Sequence, residues 1–156
     1  WNISGTFPGI TEVQPGRYVI ADLFYKHLGD FDVSLKVLST VTSKPRKDLA
    51  IIDCGHKAIH LNYSGHVTDE KQQYLIPEFT GLPLVEYPNG ARLTSLDAEH
   101  GRLELTGDAE QLRRGDKVIL LPAYEATPVN QHDYFLGIRD GLVETVWPIT
   151  AARKFR

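Results

Sequence analysis

The stretch DYFLGIRDGLVETVWP, residues 133–148, predicts a β-hairpin more clearly than any other part of the chain. Two apolar runs flank Asp140-Gly141, and an Asp-Gly pair suits a two-residue hairpin turn because glycine tolerates positive φ. Outward from this hairpin, further short apolar runs are separated by glycine, proline and aspartate. This pattern is typical of a β-barrel or β-sandwich.

The upstream runs extend this reading to most of the chain. The other predicted strands are GRYVIAD (16–22), DVSLKVLSTVTS (32–43), LAIIDCG (49–55) and GDKVILLP (115–122), with a second hairpin over 91–107. Helix signals are sparse: DLFYKHLG (22–29) and DAEQLRRG (108–115) could each form a turn or two that ends at glycine. We therefore predict a mainly β fold, barrel- or sandwich-like, with one or two short helices.

Composition limits the class of protein. The 156 residues are 42% hydrophobic and 24% charged, as in one ordinary globular domain, and the net charge of -3 gives no reason to expect nucleic-acid binding. The apolar runs are too short to span a bilayer. One cysteine excludes an internal disulfide and suits a reducing compartment, so we expect a cytoplasmic protein. The absence of methionine, even at position 1, suggests a processed product or a piece of something longer.

The stretch DCGHKAIH, residues 53–60, places Cys54 two residues before His56. A thiolate beside an imidazole could be a nucleophile or half of a metal site. However, Cys54 directly follows a buried apolar run, and a buried free cysteine behaves as a small hydrophobe. That second reading is favoured, and Gly55 is better explained as a backbone kink at the end of a strand.

The tip of the predicted 91–107 hairpin carries Glu99 and His100, followed by Gly101. Such a pair could act as acid and base or contact a ligand. An exposed turn explains the same residues and is favoured in the absence of other information.

The loop LLPAYEATPVNQHDYF, residues 120–135, is polar enough to be a site. In an extended segment Tyr124 and Ala126 would share one face and Glu125 the other. Neither tyrosine nor alanine is an ordinary ligand for zinc or manganese. The loop therefore predicts no metal site, and neither a Gly-rich phosphate loop nor a Gly-x-Ser-x-Gly elbow occurs in the chain.

Several pieces in order resemble the C-terminal part of the D-serine dehydratase / D-threonine aldolase family, pyridoxal-phosphate enzymes of the alanine-racemase-like fold type. The matching pieces are TEVQPGRYVIAD (11–22), LKVLSTVTSKP (35–45), IIDCGHKAI (51–59), LDAEHGRL (96–103), GDKVILLP (115–122), VNQHD (129–133) and IRDGLVETVWPI (138–149). Each piece is weak alone, but the ordered set covers nearly the whole chain and is fairly specific.

The resemblance implies an architecture of an N-terminal β/α barrel, which carries the cofactor lysine and a phosphate loop, followed by a β-domain. Residues 1–28 would be the end of the barrel, with its last strand and a short helix, and 29–156 the β-domain. Pyridoxal phosphate would then belong to the parent protein, with no cofactor lysine assignable here. The implied partners are the missing barrel segment, a second subunit in a homodimer and a small amino-acid substrate, with no nucleic acid or membrane.

The resemblance also implies a metal motif, which this chain lacks. The family pattern is Pro-x-His-x-Cys or Pro-x-His-x-Asp, followed by Thr-Val-Asn. Pro122 and Val129-Asn130 match it, but Tyr124 stands at the histidine position and Ala126 at the Cys/Asp position. The Pro-Thr pair is reversed, as Thr127-Pro128. We therefore expect no divalent metal at this place.

Three explanations of the missing ligands stay open. The parent could run metal-free racemisation or transamination, with Tyr124 as a hydroxyl group in the pocket. Another set, such as His100, His56 and Glu125, could hold a metal. Finally, the protein could be a degenerate paralogue, a non-catalytic β-domain for dimerisation or ligand binding.

The leading hypothesis from the resemblance is that this chain is part of a lyase or racemase-like enzyme. That enzyme would act on a D-amino acid or β-hydroxy amino acid, and this chain would be inactive by itself. The residues expected to face the pocket are His100, Tyr124, Asn130, His132 and His56.

Overall fold

The structure is a computed structural model that describes residues 3–26, 31–60 and 81–154, without the side chains of 24 and 25. Its regular secondary structure consists mainly of eight antiparallel strands. The strands are β1 (Val37–Arg46), β2 (Leu49–Ile52), β3 (Leu84–Tyr87), β4 (Ala91–Leu96), β5 (Gly101–Leu105), β6 (Lys117–Leu121), β7 (Tyr134–Arg139) and β8 (Leu142–Pro148). The predicted mainly β class is confirmed.

Strands β1 to β6 form one sheet in the order β3-β6-β1-β2-β5-β4. Its edge strands β3 and β4 follow each other in sequence and also contact each other, so the sheet curls until it nearly closes into a barrel. A nearly closed sheet leaves little free edge and encloses an apolar interior.

The interior of this barrel is filled by alternate residues of its strands. On β5, for example, Leu103 and Leu105 point inward and are at most 1% exposed, while Glu104 between them faces solvent. The fully buried core residues of the other strands include Val41, Ala50, Ile52, Val118 and Leu120. The period of two seen in the sequence is therefore the period of burial.

Strands β7 and β8 form a separate two-stranded sheet, as the Asp140-Gly141 turn predicts. Gly141 has φ of 77° and Asp140 has φ of 51°, so both turn residues are left-handed, as a tight hairpin turn of this kind requires. Most of the large apolar residues of this hairpin are exposed, in contrast to those of the barrel.

The short helices depart from the sequence predictions. The stretch 16–22 is not a strand: Arg17–Val19 form a 3-10 turn after Pro15-Gly16, and the amide of Ala21 bonds back to the carbonyl of Arg17. A four-residue helix, α1 (Leu23–Lys26), follows, but Gly29, its predicted end, lies outside the described residues. Residues 108–115 give only a 3-10 helix, Gly107–Gln111. None of the helices in the described ranges has the length and hydrophobicity needed to cross a membrane.

A helix that the sequence did not suggest, α2 (Ala126–Gln131), stands within the polar loop after β6. Pro128 lies in its first turn, where the missing amide hydrogen costs no helical hydrogen bond. The extended backbone assumed for Tyr124 to Ala126 is therefore wrong, and the alternation of faces does not apply there. The proposed division at 28/29 stays a prediction.

Candidate functional site

A cluster of two buried carboxyl groups and one arginine joins the N-terminal turn to the loop between β6 and α2. The Nε of Arg17 lies 3.1 Å from Oε1 of Glu125, and its Nη1 lies 3.8 Å from Oδ2 of Asp22. The Nη2 of Arg17 donates to the hydroxyl oxygen of Tyr124 at 3.4 Å, and the guanidinium carbon sits 5.0 Å from the centre of that ring. A single arginine thus holds two carboxyl groups and one phenol.

Both carboxyl groups of the cluster are buried, whereas Arg17 is partly open to solvent. The Asp22 side chain is fully buried, and that of Glu125 is 9% exposed. Burial, followed by hydrogen bonding and charge from Asp22, raises the pKa of Glu125 to about 7, against the lowering effects of its own backbone and of Arg17. The raised pKa favours the protonated form of Glu125 at a pH where an ordinary glutamate is fully ionised.

Backbone geometry sets this cluster in place. Ala21 adopts φ of 50°, a left-handed conformation that residues with a Cβ adopt rarely. The amide of Leu23 donates to the carbonyl of Pro122 at 3.4 Å, which joins the start of α1 to the end of β6. Asp22 and Glu125 therefore lie on two segments that are a hundred residues apart in sequence and held together in space.

The end of α2 carries two of the predicted pocket residues. The Nε2 of His132 lies 2.9 Å from the carbonyl oxygen of Ala58, which can only accept, so Nε2 carries the proton. The side chain of Asn130 accepts a hydrogen bond from the amide of Arg153 at 2.8 Å. Both side chains thus bind the backbone of neighbouring segments.

The turn at 55–60 packs on the same end of α2. Gln131 donates through Nε2 to the carbonyl of His56 at 2.9 Å. The rings of His56 and His60 lie 5.5 Å apart, and desolvation, followed by the charge of His56, lowers the pKa of His60. The lowered pKa favours the neutral form of His60. The contacts of Gln131 and His132 with the 55–60 turn bring His56 and His132 to one side of the molecule.

Cys54 is 2% exposed and packs in the barrel core. Desolvation, followed by the charge of Asp53, raises the pKa of its thiol to about 12. A thiol that stays protonated at neutral pH is a poor nucleophile and a poor ligand. The structure therefore favours the small-hydrophobe reading of Cys54.

His100 lies at the exposed tip between β4 and β5, in a shallow surface groove with Asp97, Arg102 and Ser43. Glu99 beside it forms an ion pair with Lys57. The tip is held close to the 55–60 turn, because a Cβ on Gly55 would lie 2.5 Å from the backbone of Asp97 and His100. Close backbone approach, rather than a kink alone, explains the glycine.

The five predicted pocket residues are therefore found at three places. Tyr124 belongs to the Arg17 cluster, His56, Asn130 and His132 surround the end of α2, and His100 borders the outer groove. Their common role in one pocket stays a prediction. In the described parts of the chain, no three His, Cys, Asp or Glu side chains are grouped as a metal site would need.

Sequence reasoning missed Arg17 and Asp22. The local signal at this place, the Pro15-Gly16 turn, predicts the entry to a strand. Glu125 was noticed for its charge, but nothing in the spacing linked it to a segment about a hundred residues earlier. Only the packing of α1 against the end of β6 brings the three charges together.

The barrel-like sheet with few helices has the fold seen in alanine-racemase-like proteins. An alanine-racemase-like protein from Idiomarina loihiensis matches it with a TM-score of 0.71 over 92% of this chain and 40% of that one, at 24% sequence identity. At that identity the likeness concerns the fold alone.

The sequence then gives the family: the chain belongs to the family described as the putative serine dehydratase domain, whose model matches residues 34–138. The resemblance inferred from the ordered motifs is confirmed. The matched range holds β1 to β6, α2 and most of β7, but Arg17 and Asp22 precede it.

Two curated relatives agree with the family. The 3-hydroxy-D-aspartate aldolase of Paracoccus denitrificans is 29% identical over 153 residues, covering 92% of this chain and 35% of that protein. The D-threonine aldolase of Arthrobacter sp. is 32% identical over 146 residues, covering 90% of this chain and 34% of that protein. The chain thus spans about a third of the length of these relatives, and it is homologous to enzymes named for D-amino acids.

Proposed function

We propose that this chain is the β-domain portion of a pyridoxal-phosphate enzyme that acts on D-amino acids or β-hydroxy amino acids, with lyase or racemase-like activity. The observation that supports it is the family match over 34–138, in a chain that is similar to two aldolases about three times as long. The remaining two thirds of such an enzyme would supply the barrel with the cofactor lysine and the phosphate loop.

The lysines with described contacts do not fit a covalent cofactor site. Pyridoxal phosphate is held as a Schiff base by a lysine in a pocket. Here Lys36, Lys47 and Lys57 form ion pairs with glutamates and are 44%, 75% and 71% exposed. Lys44 donates to two backbone carbonyls, and Lys117 donates to the hydroxyl of Thr40. We therefore derive no cofactor step from these residues.

The loop that carries the family's metal motif does not fit a metal either. Tyr124 accepts a hydrogen bond from Arg17, whose positive charge opposes a cation at that place, and Ala126 has no donor atom. We propose that this loop still borders the substrate pocket, with Tyr124 offering a hydroxyl group. The absence of a metal from the working enzyme stays a prediction.

Titration calorimetry with Zn²⁺ and Mn²⁺ tests the metal part of this proposal. We expect no stoichiometric uptake by the chain at the loop. Restoring the ligand pair, as Tyr124→His with Ala126→Cys, should create affinity that a chelator removes, with Tyr134→His and Ala91→Cys as a matched control at unrelated positions. Tight uptake by the unaltered chain would contradict the proposal, and no gain in the restored variant would show that the motif is misplaced.

The enzyme part is tested with the gene product that includes the sequence encoded upstream of Trp1. With added pyridoxal phosphate, we expect turnover of D-threonine or a D-3-hydroxyaspartate, measured as aldehyde and glycine or as ammonia and a keto acid. An upstream sequence without a β/α barrel and cofactor lysine, or a loaded protein that turns over none of these substrates, would favour a binding module instead.

A second candidate is a non-catalytic β-domain that serves dimerisation or ligand binding. The many exposed apolar side chains of β7 and β8 favour it, because large exposed apolar surface often marks an interface. These side chains are Tyr134, Leu136, Ile138, Leu142, Val143, Val146 and Trp147. Light scattering should show association that Leu136→Lys with Val146→Lys abolishes; a strictly monomeric chain would count against this role.

The cytoplasmic location and the homodimer stay predictions.

A further inference from the structure

The Arg17 cluster contains a titratable pair that no part of the proposed reaction uses. The carboxyl groups of Asp22 and Glu125 are both buried, and one positive charge, Arg17, lies within ion-pair distance of each. Two carboxylates out of contact with water repel each other strongly unless one of them is protonated. The burial and the single cation therefore favour one shared proton.

The Arg17 cluster lies where the N-terminal segment contacts the loop between β6 and α2. Asp22 lies at the start of α1 and Arg17 in the preceding 3-10 turn, whereas Glu125 and Tyr124 lie between β6 and α2. The same two segments are also joined by a backbone hydrogen bond, which the amide of Leu23 donates to the carbonyl of Pro122 at 3.4 Å. The charge state of the pair therefore acts on the contact that joins the N-terminal segment to the barrel.

We propose that Asp22 and Glu125, bridged by one proton and held by Arg17, form a pH-sensitive latch that fastens the segment 17–23 to the loop carrying Tyr124. With the proton, the carboxyl pair carries one negative charge, which Arg17 balances. Without it, two buried negative charges face a single guanidinium, and the segment separates from the loop. This latch does not depend on the proposed enzymatic function.

The direction of the pH dependence follows from Glu125. Its pKa is raised from 4.5 to about 7 by burial and then by Asp22, while Arg17 lowers it; these are the charged groups of the described residues that act on it. A raised folded-state pKa means that the folded chain binds the proton more tightly than the unfolded chain. The stabilisation is therefore complete below pH 4.5 and is lost as the pH rises through 7.

Carbon-13 NMR of the glutamate carboxyl groups tests the shared proton without any substitution. We expect one glutamate to titrate near pH 7, with its resonance assigned by its loss in Glu125→Gln. Titration of Glu125 near pH 4.5 would overturn the proposal.

Hydrogen exchange of the Leu23 amide tests the latch itself. After correction for the intrinsic effect of pH, we expect its protection to fall about tenfold between pH 6 and pH 8.5. Glu125→Gln keeps a donor for Asp22 but cannot ionise, so the protection should stay constant across this range. The matched control is Glu144→Gln on β8, which should behave as the unaltered chain does.

Two outcomes would overturn the latch. One is a protection of Leu23 in the unaltered chain that does not change with pH. The other is a fall in protection of equal size in Glu125→Gln, which would assign the change to another group. If Glu125→Gln does not fold, Asp22→Asn supplies the same comparison, because it also removes one of the two charges.

Discussion

The six-stranded barrel and the β7–β8 hairpin are built from the same kind of sequence, yet they differ in what covers them. In the barrel, inward residues such as Leu103 and Val118 are completely buried. In the hairpin, Leu136 and Ile138 are 57% and 64% exposed. An isolated two-stranded hairpin is marginally stable in water, so the hairpin needs cover from another surface. The comparison shows that the strand pattern predicts pairing in both regions but predicts burial only in the barrel.

The largest expected effect comes from the barrel core. Leu103→Ala should destabilise the fold by about 2–5 kcal/mol, because it removes buried methyl groups and leaves a cavity. Leu136→Ala in the hairpin should cost less than about 0.5 kcal/mol, since the side chain is already exposed. Urea unfolding measures both. If the two variants lose equal stability, the hairpin is covered in solution and the contrast between the regions disappears.

The hairpin has one tightly packed position of its own. A Cβ on Gly137 would lie 2.5 Å from the Cγ2 of Thr145 and 2.9 Å from the ring of Trp147. Gly137→Ala should therefore cost about 1–3 kcal/mol of hairpin stability by overpacking and shift the fluorescence of Trp147. Gly5→Ala is the matched control, because its added Cβ meets nothing within 4 Å. Unchanged emission in Gly137→Ala would mean that the ring does not pack there.

A side chain just after β2 should have a smaller effect on stability. Asp53 accepts hydrogen bonds from the hydroxyl of Ser39 at 2.7 Å and the amide of Thr40 at 2.8 Å. Asp53→Ala should cost about 1 kcal/mol in chemical denaturation. The control is Asp32→Ala at an exposed position. A loss no larger than that of the control would show that these hydrogen bonds contribute nothing net.

The pH dependence of Asp53 has the opposite sign to that of Glu125. Desolvation opposes its ionisation, but the hydrogen bonds from Thr40 and Ser39 outweigh it and lower the pKa of Asp53 below 3.8. Its stabilisation is thus present above pH 3.8 and is lost as the pH falls through the lowered value. Unfolding curves at acidic pH should show this loss in the unaltered chain and not in Asp53→Ala.

The smallest effect on stability is expected from an exposed ion pair beside the 55–60 turn. The ion pair of Lys57 with Glu99 joins the 55–60 turn to the β4–β5 tip, but the two side chains are 71% and 59% exposed. Glu99→Gln should change stability by less than about 1 kcal/mol, with any difference removed by added salt. A larger, salt-independent loss would show that the tip is buried against another surface.

Local sequence was sufficient for the strands whose residues alternate or whose turns are specific. Asp140-Gly141 fixed the β7–β8 hairpin, and the apolar run at 49–52 became the buried strand β2. The prediction from local sequence was wrong at 16–22 and 124–131. In these two segments apolar and polar residues are mixed, and the backbone forms hydrogen bonds within tight turns. In both places Pro15 and Pro128 carried the signal, but a proline is compatible with a turn, a strand edge or a first helical turn.

The sequence by itself determined the class of fold and the family, because alternation, turn residues and ordered motifs are all local or linear properties. Only the tertiary structure decided which groups meet: it placed Arg17 and Asp22 against Glu125 and distributed the predicted pocket residues over three places. The physical reason is that burial and charge pairing depend on contacts between segments a hundred residues apart. No local pattern in the chain encodes such contacts.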